Sequence, residues 1–139
     1  MATYYCQSSS FLKIPAEKLG RAKEILDTLF KDADLEGSFL GFAYEFKGNG
    51  VCIFSQDEFN PEDAEIAARR LVDELEIDDP FVCSWSYSCS KPRIDEFGGG
   101  AFVVKRGYKT LWLDVQSLAK DAVEQNRLEE LDEVALASN

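Results

Sequence analysis

Histidine is absent and positive charge is scarce: 15 Lys plus Arg stand against 26 Asp plus Glu, a formal net charge of −11 over 139 residues. The missing imidazole removes the commonest general base, a common zinc ligand and the Ser-His and Cys-His nucleophile pairs. Any chemistry has to run on carboxylates, thiols, lysine or tyrosine. The deficit of positive charge argues against gripping nucleic acid or an anionic membrane through bulk charge, because that binding needs a basic surface to displace counterions. Long apolar runs are missing too, none approaching the roughly 18–20 residues that span a bilayer. Met1 to Phe11, MATYYCQSSSF, has neither the basic start nor the apolar core of a signal peptide. The expectation is a cytoplasmic protein with no membrane contact. Closely paired cysteines are lacking as well. Cys83 and Cys89, the nearest two of the four, stand six positions apart, whereas zinc ligands come about two to four apart. Free and mostly buried thiols, no metal and no cofactor are expected.

What is present is a 45% apolar fraction, enough for one core, so 1–139 reads as a single domain with residues 132–139 frayed. Residues 3–12 read as a strand. Pro15 suits the first turn of a helix, where its missing N–H has no partner anyway. From Ala16 to about Lys31, Leu19, Ala22, Leu26, Leu29 and Phe30 recur at three and four, the pattern of an amphipathic helix. Phe39 to Phe46 alternates, with Leu40, Phe42, Tyr44 and Phe46 on one face. After Gly48-Asn49-Gly50 the apolar pattern resumes over Val51 to Ser55, which makes a β-hairpin. Asn60-Pro61-Glu62-Asp63 is a helix start, with a cap, a first-turn proline and acids at the positive end of the dipole. Ala64, Ala67, Ala68, Leu71, Val72 and Leu75 form the apolar face of that helix to about Glu76. Phe81 to Cys89 alternates strictly, the mark of a strand. Ser90 to Gly100 reads as a loop, Ala101 to Val104 as a strand and Arg106-Gly107 as a turn. Thr110 to Leu113 is a strand or the lead-in to a helix over residues 115–131.

The order β-α-β-β-α-β predicts an α+β, ferredoxin-like sandwich with an extra C-terminal strand or hairpin and helix, two helices covering one face of an antiparallel sheet. Its first four strands then stand in the order 4-1-3-2, which makes neighbours of the strands bearing Cys83, Cys6 and Cys52.

Charge is unevenly spread. Residues 1–56, 57–79, 80–113 and 114–139 carry −1, −8, +3 and −5. Acidic helix faces can serve solubility alone. They can also form a recognition surface for a basic partner, such as the nucleic-acid channel of another protein, since carboxylates about every turn imitate a phosphate backbone. Direct nucleic-acid binding through Lys91, Arg93, Lys105, Arg106 and Lys109 is opposed by the repulsion of the rest of the chain.

The stretch Cys89 to Gly100 is the least generic. Gly98, Gly99 and Gly100 beside Lys91 and Arg93 can cradle an anion, with Asp95 or Glu96 moving a proton. A Walker loop is absent, and a strand rather than a helix follows the glycines. The competing reading is a close-packed crossover between two strands anchored by Phe97. Cys83 and Cys89 share a face with Phe81, Trp85 and Tyr87, so core packing explains them. Trp85 and Tyr87, with Phe42 and Tyr44, suit base stacking only on a solvent-facing sheet, and two helices that need a sheet to cover make them core. No residue is assigned a catalytic role.

Gly37 to Phe46, Asn60-Pro61 opening a helix, Trp85, and Cys89-Ser90-Lys91-Pro92-Arg93 running into Glu96-Phe97-Gly98-Gly99-Gly100 together resemble a group of small acidic proteins carried by bacteria, phages and mobile elements. The resemblance covers residues 37–113 and carries over no activity and no catalytic residue. It implies a context in which accessory proteins bind and inhibit host defence machinery.

The leading expectation is therefore a non-enzymatic protein that offers Glu62, Asp63, Glu65, Asp73, Glu74 and Glu76, with Glu129, Glu130, Asp132 and Glu133, to a basic partner protein, for instance a nucleic-acid-acting host defence protein. The alternative is a small anion-binding module or enzyme at Lys91 to Gly100. A homo-oligomer, with the basic hairpin of one copy against the acidic helix of another, is a third.

Overall fold

A computed structural model describes residues 2–94 and 96–131; Asp95 and the end expected to fray, 132–139, lie outside the described residues. The elements are β1 (Tyr4–Lys13), a 3-10 turn (Ala16–Lys18), α1 (Leu19–Leu35), β2 (Ala43–Lys47), β3 (Gly50–Ser55), α2 (Pro61–Glu74), β4 (Phe81–Cys89), β5 (Gly98–Val104), β6 (Leu111–Asp114) and α3 (Val115–Glu124). This is an α+β arrangement. Its sheet runs β2-β3-β1-β4-β5-β6, and every neighbouring pair is antiparallel. The strands carrying Cys52, Cys6 and Cys83 are thus adjacent, as expected. Thr110 to Leu113 resolves as a strand, β6, followed at once by α3.

Helices α1 and α2 cover one face of the sheet. Ala22, Ile25 and Leu26 of α1 and Ala64, Ala67, Ala68, Leu71 and Val72 of α2 share a core with Leu12, Val51, Ile53, Phe81, Cys83, Phe102 and Val104. The aromatic stripe belongs to that side. Phe30 of α1 meets Phe42 and Tyr44 at 5.2 and 5.1 Å between ring centroids, and Trp85 lies against Phe59, Phe102 and Trp112. On the opposite face Tyr5, Gln7, Ser9, Phe11, Val82, Ser84 and Ser86 are exposed, the period of two that a half-buried strand requires.

The departures from expectation have local causes. The strand expected from Phe39 begins only at Ala43, because the preceding residues clasp the start of α2. Gly41 N–H donates to Asp63 Oδ2 at 2.9 Å, Asn60 N–H donates to the Gly41 carbonyl at 2.7 Å, and a Cβ on Gly41 would overlap Asn60. The first helix opens as a 3-10 turn and runs four residues beyond Lys31, to Leu35. Helix α2 starts as its cap signals predict, Asn60 Oδ1 accepting from Glu62 and Asp63 N–H at 3.0 and 3.3 Å. It ends at Glu74 rather than Glu76, and Glu76 takes a positive φ of 52° just beyond it. The C-terminal helix stops at Glu124 rather than 131. Asn126 adopts φ 55°, and the N–H groups of Gln125, Asn126 and Arg127 turn back onto the last carbonyls of α3.

The glycines differ most from expectation. Gly98-Gly99-Gly100 is no loop: it is the first part of β5, paired with Tyr87, Ser86 and Trp85. The aromatic side chains opposite explain the composition. A Cβ on Gly98 would stand 2.6 Å from the Tyr87 hydroxyl oxygen, one on Gly99 2.5 Å from the Trp85 carbonyl oxygen, and one on Gly100 2.7 Å from the Trp85 indole. Rings lie over Gly98 and Gly100, while backbone carbonyls crowd Gly99 and, from Leu113 at 2.6 Å, Gly100 as well.

Candidate functional site

Helix α2 places its expected partner-binding acids on the solvent side, yet most of them are already engaged within the chain. Asp63 holds Gly41. Glu65 accepts from the Thr110 hydroxyl at 2.6 Å. Asp73 pairs with Arg69 at 3.4 Å, and Glu74 with Arg70 at 2.8 Å and Arg21 of α1 at 3.1 Å. Glu76 and Asp78 both reach Arg106, at 3.7 and 2.5 Å. Glu74 shows the electrostatic result: the Arg70 hydrogen bond, then the charges of Arg70 and Arg21, hold its carboxyl below the usual range. Of the six acids expected on and just beyond α2 only Glu62 has a side chain with no partner among the described residues.

The basic segment between β5 and β6 is bound up in the same network. Arg69 donates to the carbonyls of Lys105 and Tyr108 at 3.1 and 2.8 Å and to the Thr110 hydroxyl at 3.0 Å. The +3 hairpin therefore meets the acidic helix of its own chain. Glu129 and Glu130 follow α3 in irregular, exposed chain instead of extending a helix, and Asp132 and Glu133 lie outside the described residues.

Carboxylates without a side-chain partner among the described residues occur on several elements, and three of them gather at one place. Asp57 and Glu58, between β3 and α2, and Glu96, just before β5, line a cavity of ≈ 450 Å³ whose walls include Tyr4, Tyr5, Cys6, Phe59 and Tyr87. None of these three has a side-chain hydrogen bond or ion pair among the described residues, and Glu62 is a few residues from them on the first turn of α2. The position is fixed by a backbone clasp: Cys6 N–H donates to the Asp57 carbonyl at 2.9 Å and Phe59 N–H to the Cys6 carbonyl at 3.0 Å. Arg93 reaches the rim, donating to the Tyr4 hydroxyl at 3.0 Å. Neither composition nor periodicity marks Asp57, Glu58 and Tyr4 as a site. One signal pointed toward them: Arg69–Asp73 and Arg70–Glu74 stand at i, i+4, which marks the later acids of α2 as internally neutralised and leaves those at its start.

The anion-cradle residues are not gathered into a cradle. Gly98, Gly99 and Gly100 are extended members of a ladder, and Gly100 pairs on its other side with Asp114 as well. Lys91 and Arg93 are exposed on the loop before them. Phe97, expected to anchor that loop, is 46% exposed; its carbonyl accepts from the Gln116 amide at 3.2 Å instead.

All four cysteines are free, two buried (Cys83, Cys89) and two half-buried (Cys6, Cys52), so half rather than most are buried. Burial pushes the Cys83 and Cys6 thiols up, away from the thiolate that nucleophilic chemistry uses. Among the described residues no three Cys, Asp and Glu side chains group as metal ligands do, and no helix is long and apolar enough to cross a membrane. No protein-family model, curated protein or solved structure matches the chain.

Proposed function

We propose that the chain is a non-enzymatic binding protein that recognises a basic partner protein, and that the recognising end is the start of α2: Asp57, Glu58, Glu62 and Glu96. The observation that carries this reading is the gathering of unpartnered carboxylates at one cavity. The carboxylates toward the end of α2 are spent on Arg21, Arg69, Arg70 and Arg106, whereas these four have no side-chain partner among the described residues and three of them surround an aromatic-walled cavity. Unpaired carboxylates lose least by exchanging water for lysine or arginine, and they add to the field that steers a basic surface in. Inhibition of a nucleic-acid-acting host defence protein is the concrete form we favour. For residues 1–89 we favour the ferredoxin-like sandwich, which the neighbour order β2-β3-β1-β4 supports.

The test is retention of proteins from a host lysate by the wild type and by two charge-reversed variants. Asp57→Lys/Glu58→Lys/Glu62→Lys is expected to lose the proteins that elute with salt. Asp32→Lys/Glu129→Lys/Glu130→Lys, with the same change in net charge, is expected to keep them. Equal loss from both, or retention by both, sinks the proposal.

A further inference from the structure

We propose that the free edge of β6, together with α3, is a homodimer interface in which two copies join their sheets antiparallel about a two-fold axis. Three observations meet at this edge. The first is that among the described residues nothing pairs with the outer side of β6, while Leu111 and Trp112 on it are 54% and 46% exposed. An unpaired edge is a template for another strand, and proteins that stay monomeric blunt it with charge. The opposite edge, β2, is blunted in that way by Glu45 and Lys47. On β6, Leu-Trp-Leu precedes a single acid, Asp114, whose side chain is occupied capping α3, accepting from Ser117 N–H at 3.0 Å.

The second observation is that α3 has an apolar side without a partner. None of its residues is buried, and Val115, Leu118 and Val123 are all exposed. A helix of this length draws its stability from packing one face, and this one follows the open edge directly while its first turn reaches back toward β5, Gln116 donating to the Phe97 carbonyl at 3.2 Å.

Charge selects the occupant and its direction. The basic turn lies at the N-terminal end of β6 with Lys105 and Lys109 free of ion pairs among the described residues, Arg106 being held by Glu76 and Asp78, and α3 beyond the C-terminal end carries Asp121 and Glu124 against Lys120. Antiparallel pairing sets the basic turn of each copy beside α3 of the other, whereas parallel pairing opposes like charges. A two-fold axis perpendicular to the sheet also keeps the helix-covered faces on one side, so opposed positions share parity. The register that pairs apolar residues places Trp112 opposite Trp112, Leu111 opposite Leu113 and Thr110 opposite Asp114, with no like charges facing. The net charge of −11 opposes the approach of a second copy, and screening over about 8 Å at physiological salt confines that repulsion to the charges nearest the interface.

Sedimentation equilibrium of the isolated protein over a concentration series at physiological salt tests the idea without reference to any other partner, so its outcome is independent of the function proposed above. Twice the monomer mass is expected for the wild type. Leu111→Lys, at an exposed position that leaves the core intact, is expected to raise the dimer dissociation constant at least about tenfold while the monomer keeps a cooperative thermal melt. Should that variant unfold, Val115→Lys reads the same surface from α3. Glu45→Gln on the other edge is expected to change nothing. A wild type that stays monomeric throughout the series overturns the proposal, and so does a dimer that survives both lysine substitutions.

Discussion

At the scale of single residues, the glycines divide into those the fold requires and those it tolerates. Gly99 sits in β5 where a Cβ would stand 2.5 Å from a backbone oxygen, that of Trp85, which cannot swing aside. Gly99→Ala is expected to lower stability by about 1–3 kcal/mol, the range for forcing extra volume into a packed site. Gly20, in the first turns of α1, has nothing within 4 Å of the same added carbon. Gly20→Ala is expected to raise stability by about 0.5–1 kcal/mol, since it removes backbone freedom from the unfolded chain without a steric penalty. Thermal or urea melts of the two variants measure the contrast, and a Gly99→Ala protein as stable as the wild type contradicts the close approach of the Trp85 carbonyl to Gly99. The same contrast explains why the triplet misleads as sequence. Three successive glycines suggest a turn or a cradle on conformational grounds, and only the pairing of β5 with Trp85-Ser86-Tyr87 reveals that they make room for the Tyr87 and Trp85 rings and for the Trp85 carbonyl.

At the scale of elements, α2 is held at both ends by different means. Its start is capped by Asn60 and tied to Gly41 through Asp63; its end is tied to α1 through Glu74 and to the following turns through Arg69 and Arg106. The Glu74 carboxyl has its pKa held below the ordinary 4.5 by Arg70 and Arg21. An acid whose folded pKa is depressed takes up protons more readily when unfolded, so its contribution is complete above 4.5 and disappears as pH falls through the folded value. Glu74→Gln is expected to lower stability at neutral pH by no more than about 1 kcal/mol, because the pair is partly solvated. It is also expected to flatten the decline of stability below pH 4.5. Denaturant midpoints measured at neutral and acid pH check both, and an unchanged acid slope removes the α1–α2 bridge from the account. These elements were readable because each is specified locally: alternation gave β4 to the residue, and the Asn-Pro cap gave the start of α2. The ends decided by tertiary contact were not. β2 begins late because Gly41 is used to grip α2, and α3 ends early because Asn126 turns left-handed although Leu128 and Leu131 continue the helical spacing. The candidate acids were legible as a total and illegible as a site, since the partners that neutralise them, Arg21 and Arg106, come from elements distant in sequence.

At the scale of the whole molecule, β5 is part of the core and not a supplement to the first four strands. Phe102 is fully buried, the largest side chain to be so, and with Val104 it packs in the core that holds Phe81, Leu71 and Val72. Burying one such side chain contributes about 1.5–3 kcal/mol, so the two together are worth roughly 3–6 kcal/mol, against a typical domain stability of about 5–15 kcal/mol. Removing β5 also strips one edge from β4, re-exposes the side of Phe81 and Trp85 that Phe102 covers, and deletes the carbonyls of Lys105 and Tyr108 that hold Arg69. The β-α-β-β-α-β order of residues 1–89 looks self-sufficient when read as a pattern, and its energetics are not. A chain ending at Cys89 is expected to keep helical far-UV dichroism yet lose near-UV dichroism and a cooperative melt, because its helices retain an apolar face while the sheet beneath them lacks a strand. A sigmoidal melt and dispersed amide resonances from residues 1–89 would show the opposite: that the four-strand unit is the folding domain, and that the acidic end of α2 could be carried without the glycine strand that now buttresses it.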